Sequence, residues 1–276
     1  MPIAHVEAGL RSHDFAHPWP EERNRVTIDQ LADRLFAPTI AAARNLRDEP
    51  DVRGRIVVTG NTGVDALLTM RKQLPDRIAL RDAPYLVFLT CLRRDNIGAG
   101  ITHICDAALR LADRGDIRLL CPVHLNPAVG AIVRARLGQH PAITLTGALG
   151  YRETVQIMVS ARLILTDSGS IQEEAPALGV PTLVLRDATE RPEALASGDL
   201  ALVSTDPDRI VAAASRLLDD PAAHAEMSCP SFPFGWGDAA EKILDALEQY
   251  FSSGSCRDHP LPFTPSWIMD VAPKGA

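Results

Sequence analysis

In the run TDSGSIQEEAPALGVPTLVLRDATERPE, residues 166–193, small hydroxyl and glycine residues, paired carboxylates and a cluster of charges fall within a few helical turns of one another. The apolar stretch Leu163, Ile164 and Leu165 reads as a buried strand, and Thr166-Asp167-Ser168-Gly169-Ser170 opens a helical segment that runs to Leu178. A strand-to-helix turn of this kind aims free N–H groups outward. Small residues let an anion approach the backbone, and the helix dipole favours negative charge there. Glu173 and Glu174 lie about one turn beyond, within reach of ribose hydroxyls that need an acceptor. The same residues would also suit an ordinary capped helix with surface glutamates, since Ser and Asp are preferred caps. The continuation favours chemistry. Val180 to Leu185 reads as a second buried strand that ends in Arg186-Asp187 and Thr189-Glu190-Arg191-Pro192-Glu193. Two charged loops then emerge at one edge of a parallel sheet, where open α/β sheets bind ligands. The chemistry is that of a nucleotide-sugar diphosphate.

The elements that must position these groups alternate along the chain. Strand-like Ile3 to Val6 is followed by a helix expected near 26–33, a strand at Leu35-Phe36, a helix near 40–48, a strand at Ile56 to Val58 and a helix near 63–73. After a polar, proline-bounded stretch at 74–84, a strand at Tyr85 to Thr90 begins a second series of about six strand and helix units. The pattern is α/β with parallel sheets. It predicts a partial N-terminal Rossmann-like domain over 1–80, a complete Rossmann-like domain over 81–235, a C-terminal helix over 236–251 and a mobile tail over 252–276. About three strands are too few for a doubly wound sheet, so the first unit is expected to expose a strand edge and to need a cover for stability. With 46% hydrophobic and 23% charged residues the 276-residue chain can bury a core. Its net charge of −7, with no basic tract, argues against nucleic acid as a partner. No apolar window is long enough to span a bilayer and no signal-peptide pattern opens the chain, so the expectation is no membrane partner and a cytoplasmic location. Five cysteines at 91, 105, 121, 229 and 256 lack CxxC pairing and read as reduced packing residues.

The segment 166–193 resembles the nucleotide-binding signature of the non-hydrolysing UDP-N-acetylglucosamine 2-epimerases, and further blocks agree in order: HVEAGLRS (5–12), PWPEERNR (18–25), FAPT (36–39), VTGNTGVDAL (58–67), LRRDNIG (92–98), PVHLNP (122–127) and GDAAEKIL (237–244). The resemblance covers roughly residues 1–250. It implies a glycosyltransferase-B-type fold of two Rossmann-like domains, and interconversion of UDP-GlcNAc and UDP-ManNAc by elimination and re-addition of UDP, with no cofactor. It also implies that the first Gly-rich loop would precede Pro2, making this an N-terminally truncated and divergent member, and that a homodimer is a reasonable expectation. Glu7 and Glu21 match the family's acidic active-site positions. An isolated glutamate at a strand end is usually solvated, but within these blocks a catalytic role is favoured. Ser168, Gly169, Ser170 and Arg191 match the diphosphate-binding positions, and Glu174 matches the ribose-binding one. Arg191 could instead pair structurally with Glu190 or Glu193. His124 in PVHLNP could line the pocket, serve as the regulatory contact seen in bacterial relatives, or act as a structural hydrogen-bonder. The other histidines, including His13 and His17, have no metal-ligand spacing, and no metal is expected.

Several positions depart from that pattern. Leu92 stands where the resemblance expects a histidine, and leucine neither donates a hydrogen bond nor carries a proton. Asp95 replaces a glutamate, Ser170 the second glycine of the turn, and Thr154 a phenylalanine, while Leu149 and Thr154 loosen the expected uracil pocket. Two alternatives to the epimerase follow: an inactive UDP-sugar-binding remnant, or a related glycosyltransferase or hydrolysing epimerase.

Overall fold

The computed structural model describes residues 2–16, 19–76, 85–91, 98–123 and 126–252. Leu92, Asp95 and His124 lie outside these described residues, as does the tail from 253 onward.

The first unit runs β1 (Ala4–Val6), α1 (Glu21–Leu31), β2 (Arg34–Ala37), α2 (Ile40–Asp48), β3 (Arg55–Val58) and α3 (Thr62–Arg71). Its three strands pair in parallel in the order β1-β2-β3. Ala8, Leu35, Ala37, Ala43 and Leu46 close one face of the sheet. β1 is an edge strand, and Ile3 and Val6 around it are 41% and 40% exposed. α1 starts at Glu21, earlier than the apolar period suggests, because its first turn is EERNR and carries no hydrophobic signal. Two glutamates there suit the positive end of the helix dipole. Thr39 caps α2 by accepting from the Ala42 N–H, as Ser and Thr caps do.

The second unit contains β4 (Tyr85–Thr90), α4 (Ala99–Ala112), β5 (Ile117–Pro122), α5 (Pro127–Leu137), β6 (Ile143–Thr146), α6 (Tyr151–Ser160), β7 (Leu163–Thr166), α7 (Gly169–Leu178), β8 (Thr182–Val184), α8 (Pro192–Ala196), β9 (Leu200–Leu202), α9 (Pro207–Asp219) and α10 (Pro221–Glu226), and the C-terminal helix α11 (Ala239–Ser252) packs back on α3 of the first. Its parallel strands order as β6-β5-β4-β7-β8-β9, the doubly wound pattern in which the direction of winding reverses between β4 and β7. Val87, Leu89, Leu119, Leu163 and Leu165 are buried beneath α4, α5 and α9. Each such side chain contributes about 1.5–3 kcal/mol on full burial. Such strands, covered on both faces, read as continuous apolar runs, which is why β4 is legible end to end.

α3 joins the units. Val64 and Leu67 pack with Val155, Ala177, Val184 and Phe234 of the second. The Asn61 N–H that opens α3 donates to the Phe234 carbonyl at 2.7 Å, and Asp65 accepts from the first N–H groups of α11 at 3.1 and 2.7 Å. The carboxyl ends of β2 and β3 are thereby held against the site-bearing end of the second sheet. Among the described residues no helix is long and apolar enough to cross a membrane. Cys91, Cys105 and Cys121 are buried free thiols, and burial pushes each of them well above the ordinary thiol range.

Candidate functional site

At the reversal point Thr90 closes β4 and Thr166 closes β7; the two are in register and their hydroxyls are 2.6 Å apart. Thr166 Oγ1 also accepts from the Ser168 N–H at 3.0 Å, which turns the chain sharply into α7. Ser168 is the N-cap residue, yet its side chain caps nothing; its Oγ lies 3.1 Å from Ser170 Oγ instead. The first-turn N–H groups of α7 are therefore not consumed by the cap, as an anion cradle requires.

A cavity of about 570 Å³ opens beside this turn. Phe88, Val123, Leu149 and Ile171 give it apolar walls, and Ser168, Ser170, Tyr151 and Glu174 supply the polar groups. That mixture and size suit a nucleoside. Leu149 and Thr154, which the resemblance places around a uracil, both line it.

Glu173 and Glu174 are not surface glutamates. They are only 7% and 8% exposed and point to different partners. Glu174 accepts from the Tyr151 hydroxyl at 3.1 Å. Burial pushes its carboxyl up to about 7, against the pull of the Tyr151 hydrogen bond and with a further push from Glu173. Glu173 accepts from Arg191 Nε at 2.6 Å and from Asn61 Nδ2 at 2.9 Å, so it spans the two units. Burial also raises its carboxyl, and the charge of Glu7 from the first unit adds to the rise, while Arg191 and Asn61 oppose it.

Arg191 sits over the turn. A Cβ added at Gly169 would come within 2.7 Å of its guanidinium carbon, so only glycine leaves room for it there. Arg191 Nη1 donates to Glu190 at 2.7 Å, and Glu190 also accepts from Arg186 at 2.9 Å. Its ion-pair partners are thus Glu190 and Glu173, not Glu193, which accepts from the Thr39 hydroxyl. Burial works to lower the guanidinium's proton affinity, but the charges of Glu173 and Glu190 outweigh it, and Arg191 stays a cation. Thr189 completes the fold of this loop onto α7 by donating to Gln172 at 2.6 Å.

In the first unit Glu7 follows β1 and is exposed, and Glu21 is the exposed first residue of α1. Glu7 has φ 66°, a left-handed conformation that costs a non-glycine residue free energy. Gly9 beside it has φ 83°, and a Cβ there would fall 2.2 Å from the Ala42 carbonyl oxygen. Thr39, Asn61 and Tyr151 carry much of this geometry, and the residue types alone assign them none of it. Thr39 and Asn61 do fall inside the FAPT and VTGNTGVDAL blocks, each just after a strand, and that position is the signal available for them.

The elevated Glu174 carboxyl has a measurable consequence. Its proton affinity is higher folded than unfolded, so its contribution to stability is fullest below about pH 4.5 and declines as pH rises through about 7. The resemblance assigns Glu174 to a ribose, whose hydroxyls donate best to the ionised form; on that assignment UDP affinity should improve about fivefold between pH 6 and pH 8, the scale of making a neutral hydrogen bond charge-assisted. Calorimetric titration of the unaltered chain against Glu174→Gln isolates the effect from the titration of UDP itself. Identical pH slopes in the two would remove Glu174 from the ribose site.

A family model described as UDP-N-acetylglucosamine 2-epimerase matches residues 1–248. The chain is 44% identical over 260 residues to a UDP-N-acetylglucosamine 2-epimerase of Escherichia coli K12, covering 90% of this chain and 69% of that protein. It is 40% identical to one from Campylobacter jejuni, covering 89% and 68%. Among solved structures it superposes on the Neisseria meningitidis UDP-GlcNAc 2-epimerase bound to UDP-GlcNAc with a TM-score of 0.84 at 36% identity, over 90% of this chain and 70% of that one. The S. aureus MnaA structure with UDP gives 0.85 at 39% identity, over 96% and 73%. These neighbours share its α/β architecture of parallel sheets in a glycosyltransferase-B-like arrangement.

Proposed function

The chain belongs to the UDP-N-acetylglucosamine 2-epimerase family, and we propose that it binds UDP-GlcNAc across the junction of its two units and inverts C2 of the sugar. It is an isomerase. The observation that carries the assignment to this site is the cavity at the β4/β7 reversal, lined by Ser168 and Ser170 of the α7 turn and by Glu174, with Arg191 packed against Gly169 of the same turn. Uridine fits the apolar cavity with its ribose hydroxyls donating to Glu174. The diphosphate lies on the N–H groups of Gly169 and Ser170 and the hydroxyls of Ser168 and Ser170, beneath Arg191. The sugar then extends toward the first unit, where Glu7 and Glu21 stand.

A carboxylate removes the C2 proton as the C1–O bond to UDP breaks, and the electron pair of the C–H bond becomes the C1=C2 double bond of a glycal. The departing diphosphate takes up negative charge, which Arg191 and the α7 N–H groups stabilise. UDP re-adds at C1 while a proton is delivered to the opposite face of C2, which needs a second acid on that side. Glu7 and Glu21 are assigned these two roles. That Glu7 acts on Glu173 electrostatically supports its lying near the diphosphate end of the site. A binding-only reading rests on Leu92, where a proton-carrying histidine is expected. Proton NMR of UDP-GlcNAc incubated with the chain in D2O separates the two. Deuterium at C2 with new UDP-ManNAc signals is the expected result; UDP binding without exchange would leave a nucleotide-binding protein, and free sugar would indicate a hydrolysing enzyme.

A further inference from the structure

The helix that begins at Glu21 also carries two buried carboxylates, Glu22 and Asp29, seven residues apart and so on one face. Both point at the loop that bears Glu7. Asp29 is fully buried and collects three donors, one from β1 and two from that loop: the His5 ring through Nδ1 at 2.6 Å, the Gly9 N–H at 3.2 Å and Arg11 Nη2 at 2.7 Å. These donors bracket Glu7 on both sides in sequence. Arg11, itself buried, is held from behind by Glu49 through Nε at 2.5 Å. Glu22 accepts from the Ser12 and His13 N–H groups at 2.9 and 3.1 Å, fixing the far end of the same loop. The two non-glycine residues of this loop in left-handed backbone, Glu7 at φ 66° and His13 at φ 59°, each lie beside one of these clamps. Such conformations persist only where surrounding contacts over-determine them.

We infer that Asp29, seconded by Glu22, is a positioning residue for the epimerisation: it holds the Glu7 loop in its left-handed turn and, because it rides on α1, fixes Glu7 relative to Glu21. The inference rests on Glu7 and Glu21 being the acid/base pair proposed above. Asparagine at 29 removes the anion that pairs with Arg11, and its N–H₂ either displaces the Gly9 and Arg11 contacts at Oδ2 or forces the His5 ring into the tautomer that accepts at Nδ1. The residues assigned to UDP lie on the other unit and are not among the contacts of Asp29.

Asp29→Asn should therefore lower the rate constant of C2 deuterium exchange about 100-fold, the scale of an ångström-sized misplacement, while UDP affinity stays within twofold. His5→Ala removes one donor and leaves the Asp29–Arg11 pair, so about a tenfold loss is expected even if Asp29→Asn proves too unstable to assay. Exchange rates within threefold of the unaltered chain in either soluble variant, or equal losses of rate and UDP affinity, would overturn the inference. If the unaltered chain shows no exchange at all, the epimerase reading fails first. The clamp is then judged on hydrogen exchange of the Gly9 amide, which Asp29→Asn should accelerate at least tenfold and which would contradict it if unchanged.

Discussion

Replacing Arg191 by alanine is expected to weaken UDP binding by about 1.5–3 kcal/mol, or roughly 10- to 150-fold, and to destabilise the folded chain by a further and separable amount. The binding loss is that of a charge-assisted hydrogen bond to the diphosphate. The upper end is favoured because Glu173 loses a cationic partner while Glu190 keeps Arg186, which leaves more negative charge beside the proposed diphosphate position. The stability loss follows from burial: Arg191 is 7% exposed and pairs with two carboxylates that are 7% and 5% exposed. Removing one partner of a buried pair costs about 3–5 kcal/mol because the remaining charge cannot reach water. The two effects part in the double variant Arg191→Ala, Glu173→Gln, which should recover part of the stability and little of the affinity. Arg191→Lys keeps the charge but not the planar fork that reaches Glu173 and Glu190 together, and should fall between. Calorimetric affinity and thermal unfolding measured on the same samples decide it; a UDP affinity within twofold of the unaltered chain would take Arg191 out of the site.

What the residues announce and what they conceal divide along physical lines. β4 is readable because a strand covered on both faces must be apolar throughout, and α2 because Thr39 precedes a helical period. The strand–turn–helix at 166–178 is readable because glycine and small hydroxyl residues mark a close backbone approach. The start of α1 is not, since EERNR offers no hydrophobic period, and the helix is set by tertiary contacts instead. The partners that let Glu173 and Glu174 stay buried are invisible for a related reason. Charged residues are rarely buried unless paired, and here the partners Asn61, Tyr151 and Arg191 come from other helices and a distant loop. Asp29 reads as one more polar residue on an amphipathic helix. Only the fold shows that His5, Gly9 and Arg11 converge on it.

Glu7→Gln is expected to reduce C2 proton exchange by about 10²- to 10⁴-fold, the usual contribution of a positioned acid or base, without moving UDP affinity. Glutamine preserves the volume and the amide can still hydrogen-bond, so what is removed is the capacity to take and return a proton. The backbone makes the case for Glu7 more than the side chain type does. At φ 66° an ordinary residue costs roughly 1–2 kcal/mol relative to its preferred conformations, and glycine would adopt that turn freely. Glu7→Gly should therefore be neutral or stabilising by up to about 1 kcal/mol while eliminating exchange, the signature of strain kept for function. Glu21→Gln, at an unstrained helix start, should cost exchange with no gain in stability. If Glu7→Gln retained more than a tenth of the unaltered exchange rate, the proton at C2 would have to be handled elsewhere, and the left-handed turn after β1 would lose its functional reading.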